Sequence, residues 1–260
     1  MELWHDSAGE GRGILLLHAG ICDAQMWERQ MRTLAPAGRV VRCDLPGFGR
    51  TPMPAADYAD GQCVIDLIEA EGLAPVVLVG ASMGGEIALD VALARPDLVA
   101  GLVLIGSGHP LMGWTEELKR YSSREEDLAA AGDVDAIVEL NLRFWVDGPD
   151  RTHDEVDAAM RAFVGDMQRD ALVMQLARPD VEGVALVPEP AERLGEIAVP
   201  TLAVVGELDI PEMREGAARL AADIPGASAA TVAGASHLPS LERPEEFDAL
   251  VLEFLGGLPD

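Results

Sequence analysis

The chain has 260 residues, 49% of them hydrophobic and 25% charged. This is ordinary globular usage, enough to enclose one large core, and it excludes a disordered or fibrous chain. Nineteen Lys and Arg stand against 45 Asp and Glu, a formal net charge of −26. Such a field repels phosphate backbones and anionic lipid surfaces, so neither nucleic acid nor a membrane is expected as a partner. No apolar run approaches the ~18 residues of a membrane span and no charged-then-apolar leader opens the chain, so a cytoplasmic protein is expected. Cys22, Cys43 and Cys63 show no CxxC spacing and no His at metal-ligand spacing, which predicts buried free thiols and no metal site.

Short apolar runs bounded by turn residues mark strands at 13–18 (GILLLH), 39–43 (RVVRC), 75–79 (PVVLV), 98–105 (LVAGLVLI) and 200–205 (PTLAVV), with a weaker one at 227–232. Runs apolar on both faces belong to a parallel sheet covered on both sides. Helical patterns lie between them at 24–34, 58–71, 83–94, 211–222 and 244–254. Strand and helix alternate, which predicts a mostly parallel, doubly wound α/β sheet. Residues 109–190 break the alternation: they read as helical, with aromatics at Trp114, Tyr121, Phe144, Trp145 and Phe163. That is too long for a connection and predicts a helical lid inserted into a core made of residues 1–108 and 191–260.

After PVVLV the chain reads Gly80-Ala81-Ser82-Met83-Gly84-Gly85 and enters a helix. A serine hydroxyl is a weak nucleophile and must be held exposed beside a base. A G-x-S-x-G turn at the carboxyl end of a strand does this, with Gly80 and Gly84 small where strand and helix cross. The same turn aims the Met83 N–H to where an oxyanion can be stabilised. The alternative is that Ser82 merely caps the helix.

A serine of this kind needs an acid and a histidine later in the chain, in that order. Glu207 and Asp209 follow the strand PTLAVV, and His237 follows the last strand. All sit just past strand ends, on the edge where catalytic groups gather in open α/β sheets. Asp209 lies farther past its strand than Glu207, so its carboxylate can turn back toward His237. The position after LVAGLVLI offers only Ser107 and Gly108. Asp209 is therefore expected to hold the His237 tautomer. His5 and His153 read as solvated, His18 as a local hydrogen-bonding residue, and His109 as a hinge of the insertion.

These residues resemble the α/β-hydrolase superfamily, in the branch of small lid-bearing esterases, enol-lactonases and cofactor-free haloperoxidases. Five stretches carry the resemblance: LLLHAGICDAQMW at 15–27, DLPGFGRT at 44–51, VGASMGG at 79–85, VVGELD at 204–209 and GASHLPSLERPEEF at 234–247. It implies a Ser82–Asp209–His237 triad, no cofactor, and a second oxyanion donor in the turn after the first buried strand, here the Gly20 N–H. It also implies structural roles for Asp44, Gly47, Gly49, Glu242 and Arg243. Only twelve residues precede GILLLH, where the family has two antiparallel strands; the first is expected to be missing, with residues 2–5 forming the second.

The expected activity is hydrolysis of a small-molecule carboxylic ester or lactone through an acyl-enzyme, by a monomer or homodimer. Acyl transfer, perhydrolysis, C–C hydrolysis, or lyase and isomerase chemistry with the histidine as base use the same triad, and a non-catalytic binding protein is a further alternative. Leu111, Trp114, Phe144, Trp145 and Leu238 are the candidates for lining the substrate pocket, the alternative for the lid aromatics being a small core of their own. Arg143 reads as a surface ion pair rather than a carboxylate anchor.

Overall fold

A computed structural model describes residues 1–107 and 115–259. Seven strands form one sheet: β1 (His5–Ala8), β2 (Gly13–Leu17), β3 (Arg39–Cys43), β4 (Val76–Ala81), β5 (Val99–Ile105), β6 (Thr201–Gly206) and β7 (Ser228–Val232). Their spatial order is β1-β3-β2-β4-β5-β6-β7; β1 runs antiparallel to β3 and every other pairing is parallel. The helices are α1 (Gln30–Thr33), α2 (Asp60–Ala70), α3 (Met83–Ala94), α4 (Glu116–Ala131), α5 (Val134–Asn141), α6 (Ala158–Leu176), α7 (Pro211–Asp223), α8 (Pro239–Glu242) and α9 (Pro244–Gly257). The result is a doubly wound α/β sheet.

The period-two geometry of a strand divides the core in two. Leu15, Leu17, Val76, Leu78, Leu102, Leu104, Ala203 and Val205 face α2, α3 and α7. Ile14, Leu16, Val77, Val79, Val103, Ile105 and Val204 face the opposite side, where Met26, Trp27, Phe247 and Val251 cover them. Continuous apolar strands and two buried faces are the same fact. β7 lies at the sheet edge and keeps only Val232 fully buried, which accounts for its weak pattern. Cys22, Cys43 and Cys63 are free and buried.

The expected strand over 2–5 is displaced: β1 begins at His5. Residue Trp4 is held instead by the loop after β3, its N–H donating to Thr51 Oγ1 (2.9 Å) and its carbonyl accepting from Asp44 N–H (3.0 Å). His5 is half-buried against Glu71, so it is not a simply solvated residue. Helix 24–34 divides into a 3₁₀ turn (Ala24–Trp27), capped by Asp23, and α1.

Between β5 and β6 the described chain is largely helical as far as Leu176, and residues 177–189, expected to be helical, are irregular. α4 and α5 run into a π-helical turn (Leu142–Asp147), and α6 follows. A single bridge ties Tyr58 to Gly183 on the way back to β6. No helix among the described residues is long and apolar enough to cross a membrane.

The turn leaving β2 is organised by His18, which is fully buried. Its Nε2 accepts from the Leu45 N–H (3.0 Å), so the ring proton is on Nδ1, which donates to the Ala19 carbonyl (2.9 Å). Phe48 packs edge-on against the ring at 4.8 Å. Burial lowers the His18 pKa from 6.5 to about 4, against smaller raising contributions from Ala19 and Asp23. The unfolded chain therefore takes up a proton near pH 6.5 that the folded chain refuses until about pH 4, and stability falls as pH drops through that window. The stability difference between wild type and His18→Gln should narrow by roughly 3 kcal/mol from pH 7 to pH 4. Urea denaturation at each pH measures it, and a constant difference would contradict a neutral, buried His18.

Candidate active site

β4 passes into α3 through a single residue, Ser82, whose φ of 49° and ψ of −115° are foreign to an L side chain. Such a conformation costs on the order of 1–3 kcal/mol and persists only when its surroundings impose it. Three contacts do so. The Ser82 N–H donates to the Ile105 carbonyl at the end of β5 (2.6 Å). A side chain on Gly80 would overlap the Gly84 carbonyl, and one on Gly84 would overlap the Leu17 carbonyl, so strand and helix cross only because both are glycine. Ser82 makes no side-chain capping bond to α3, which removes the capping role that the sequence left open.

His237 and Asp209 meet as expected. Asp209 is 1% exposed and His237 2%, and His237 Nδ1 lies 2.9 Å from Asp209 Oδ2. The other carboxylate oxygen accepts the Ile210 N–H (2.8 Å), which fixes the plane of the carboxylate. Glu207 is exposed and its carboxylate accepts the Gly234 N–H instead (2.9 Å), bracing the turn before His237. Gly106, at φ 56°, makes room for the imidazole: a Cβ there would lie 3.0 Å from His237 Cε1.

The His237 loop is tied to the helical segment. Glu242 accepts from the Ser236 N–H (2.8 Å) and from Arg151 (2.8 Å), and Arg151 also donates to the Val146 and Asp147 carbonyls. Trp145, from the same π-helical turn, lays its indole against the imidazole at 4.5 Å between ring centres. Glu242, read from sequence as structural, is thus the clamp between the two parts. Below Ser82, one turn along α3, burial raises the Glu86 carboxyl to about 7, with Asp90 adding to the rise and His237 opposing it.

Ser82 and His237 line one cavity of about 250 Å³, together with Gly20, Ile21 and Met83 on the sheet side and Tyr121, Glu125, Asn141, Trp145, Gln168, Ala171, Leu172 and Gln175 from the helical segment. Gly20 sits against Met83: a methyl on Gly20 would lie 3.6 Å from Met83 Sδ. Among the described residues no cluster of three His, Cys, Asp or Glu has the arrangement of a metal site.

The substrate-pocket candidates divide. Trp145 lines the cavity. Phe144 does not; it stacks on Tyr121 at 4.2 Å and meets Trp145 edge-on at 4.8 Å, behind the wall, because successive residues of a helical turn point in different directions. Leu238 is 1% exposed and packs in the core on the α9 side of the sheet, away from the cavity. Leu111 and Trp114, like His109, lie outside the described residues. Arg143 is half-exposed and directed at the Arg151 carbonyl and Asp147, not at the cavity. The polar lining went unread in the sequence; its only trace is that Tyr121, Glu125, Gln168 and Gln175 fall on helices flanking the aromatic turn.

Comparison with known proteins places this geometry. The sequence matches the alpha/beta hydrolase family over residues 14–250. It is 26% identical to the pimeloyl-[acyl-carrier protein] methyl ester esterase of Edwardsiella ictaluri, over 98% of this chain and 97% of that one. It is 29% identical to the 2-hydroxy-6-oxo-6-(2'-aminophenyl)hexa-2,4-dienoic acid hydrolase of Metapseudomonas resinovorans, over 100% of this chain and 89% of that one. Among solved structures, a thermophilic esterase from Thermogutta terrifontis superposes with a TM-score of 0.78 at 26% identity, covering 97% of this chain and 92% of the other. Est816, an N-acyl homoserine lactone degrading enzyme, superposes at 0.74 and 26% identity, covering 97% and 96%. With most of its length matched and the same fold throughout, the chain belongs to the α/β-hydrolase family.

Proposed function

We propose that this protein is a serine hydrolase that cleaves a carboxylic ester or lactone through an acyl-enzyme. The observation that carries the reading is a strained Ser82 sharing one cavity with a buried His237 whose far nitrogen is held by Asp209 at 2.9 Å. The relatives named as esterases and as a lactone-degrading enzyme support it at the level of reaction class.

In this reading Ser82 Oγ attacks the carbonyl carbon while His237 Nε2 takes its proton. Asp209 accepts the Nδ1–H and stabilises the imidazolium without taking the proton itself. The Gly20 and Met83 N–H groups receive the oxyanion, the larger share of the barrier lowering in such sites. The imidazolium then protonates the departing alcohol oxygen, or the ring oxygen of a lactone. A water deprotonated by His237 attacks the acyl-Ser82 carbonyl, and as the acyl–Oγ bond breaks the imidazolium returns the proton to Ser82 Oγ and the acid is released. The helical segment from α4 to α6 acts as a lid that shapes the substrate cavity, and Trp145 sets the face of the imidazole.

Hydrolysis of p-nitrophenyl acetate and butyrate tests the roles. Ser82→Ala should lower kcat by about 10⁴-fold or more and Asp209→Asn by about 10⁴-fold. Glu207→Gln, which alters only the brace of the neighbouring turn, should stay within about threefold, as substitutions outside the reacting groups do. Equal losses at Glu207 and Asp209 would contradict the assignment of the acid.

A further inference from the structure

Trp145 grips the loop of the proposed base twice. Its indole lies over the His237 imidazole, with 4.5 Å between ring centres and 36° between the planes. Its carbonyl lies 3.3 Å from the hydroxyl of Ser236, the preceding residue. Both contacts come from the π-helical turn Leu142–Asp147, a rare form that occurs mostly at functional sites.

The indole is itself held. Its N–H can only donate, and it donates to Tyr121 Oη (2.9 Å). Tyr121 is fixed in turn: Phe144 stacks on its ring at 4.2 Å, and its hydroxyl has acceptors at Asn141 Oδ1 (2.5 Å) and Glu125 Oε1 (3.4 Å). The orientation of the indole therefore depends on a hydroxyl that does not touch His237.

An aromatic face attracts a cation above it through the ring quadrupole, most strongly where water is excluded. His237 is 2% exposed. Neutral imidazole gains only ring packing from the indole; imidazolium gains the cation–π attraction as well. The proposed cycle forms imidazolium twice, when Ser82 and then water lose their protons. The other ionisable groups around the ring are few. Asp209, after β6, holds Nδ1, and Glu86 on α3 interacts with the imidazolium charge. Asp147 on the π-helical turn is turned to Arg161, Glu242 on α8 to Arg151, and Glu125 on α4 to Asn141. From the end of β5 the ring meets Gly106, which carries no charge.

We infer that Trp145 is a positioning residue whose indole face stabilises the His237 imidazolium, and that the Tyr121 hydroxyl holds the indole in that orientation. This role rests on the proposed ester hydrolysis, whose base it concerns.

NMR of histidine labelled at Cε1 tests it without relying on turnover, the His237 signal being identified by its loss in His237→Gln. Trp145→Leu should lower the midpoint of the His237 titration by about one pH unit, a roughly tenfold loss of proton affinity, and move its Cε1–H signal downfield as the indole ring current is lost. Trp145→Phe, which keeps an aromatic face, should recover at least half of the midpoint change. Tyr121→Phe, which removes only the hydroxyl, should fall between wild type and Trp145→Leu in both readouts. The acid limb of the pH profile of kcat/KM for p-nitrophenyl acetate should follow the NMR midpoint across the series. A Trp145 that merely fills space predicts lost activity with an unmoved midpoint. An unmoved or raised midpoint in Trp145→Leu, or, should that variant not fold, a Tyr121→Phe identical to wild type in midpoint and signal, overturns the role. Hydrolysis by wild type with an unmoved midpoint in the variants leaves ester hydrolysis standing. A lowered midpoint with no hydrolysis by wild type overturns ester hydrolysis and leaves the ring contact standing. Neither hydrolysis nor a lowered midpoint overturns both.

Discussion

The crossing of β4 and α3 constrains the rest of the molecule. Two backbones pass so closely that Gly80 and Gly84 admit no side chain, and the residue between them is driven to a positive φ that serine does not favour. The strain is held by the sheet: Ser82 is anchored to the end of β5, and Gly84 lies against the end of β2. Both of those strands are buried on two faces, so the turn cannot relax without opening the core. Conformational strain at one residue is thus sustained by hydrophobic burial over the whole sheet.

The same sheet edge sets the electrostatics. Asp209 and His237 leave adjacent strands, β6 and β7, and meet in a nearly solvent-free position where their hydrogen bond is unscreened. The imidazole has Gly106 beneath it and Trp145 against its face. Trp145 belongs to the helical segment, and the Arg151–Glu242 pair fastens that segment to the loop bearing His237. A motion of the segment therefore moves a wall of the cavity and the support of the proposed base together. This coupling is the observation behind the proposal that the segment acts as a lid.

How legible each part is follows from the range of the interactions that make it. The strands lie within a residue or two of the apolar runs because both faces of the sheet are buried, leaving continuous patterns with little competition. The proposed site of Ser82, Asp209 and His237 stands out in the sequence because each sits just past a strand, in chain order, at one sheet edge. β1 is displaced because Trp4 is captured by a loop some 47 residues away, which no local pattern records. The cavity lining is the least legible part. Trp145 faces the cavity while Phe144 backs it and Leu238 is in the core, distinctions set by packing angles and not by residue type. Tyr121, Asn141 and Gln168 come together from three helices and form no motif. A cavity wall assembled in this way leaves almost no mark on the linear chain.

The central claim is that Ser82 is an activated nucleophile. Intact-mass analysis after incubation with a fluorophosphonate, followed by peptide mapping, tests it most directly. The account predicts one adduct per chain, on Ser82, absent in Ser82→Ala and strongly slowed in His237→Ala. An unmodified chain, or an adduct on any other residue, would contradict it.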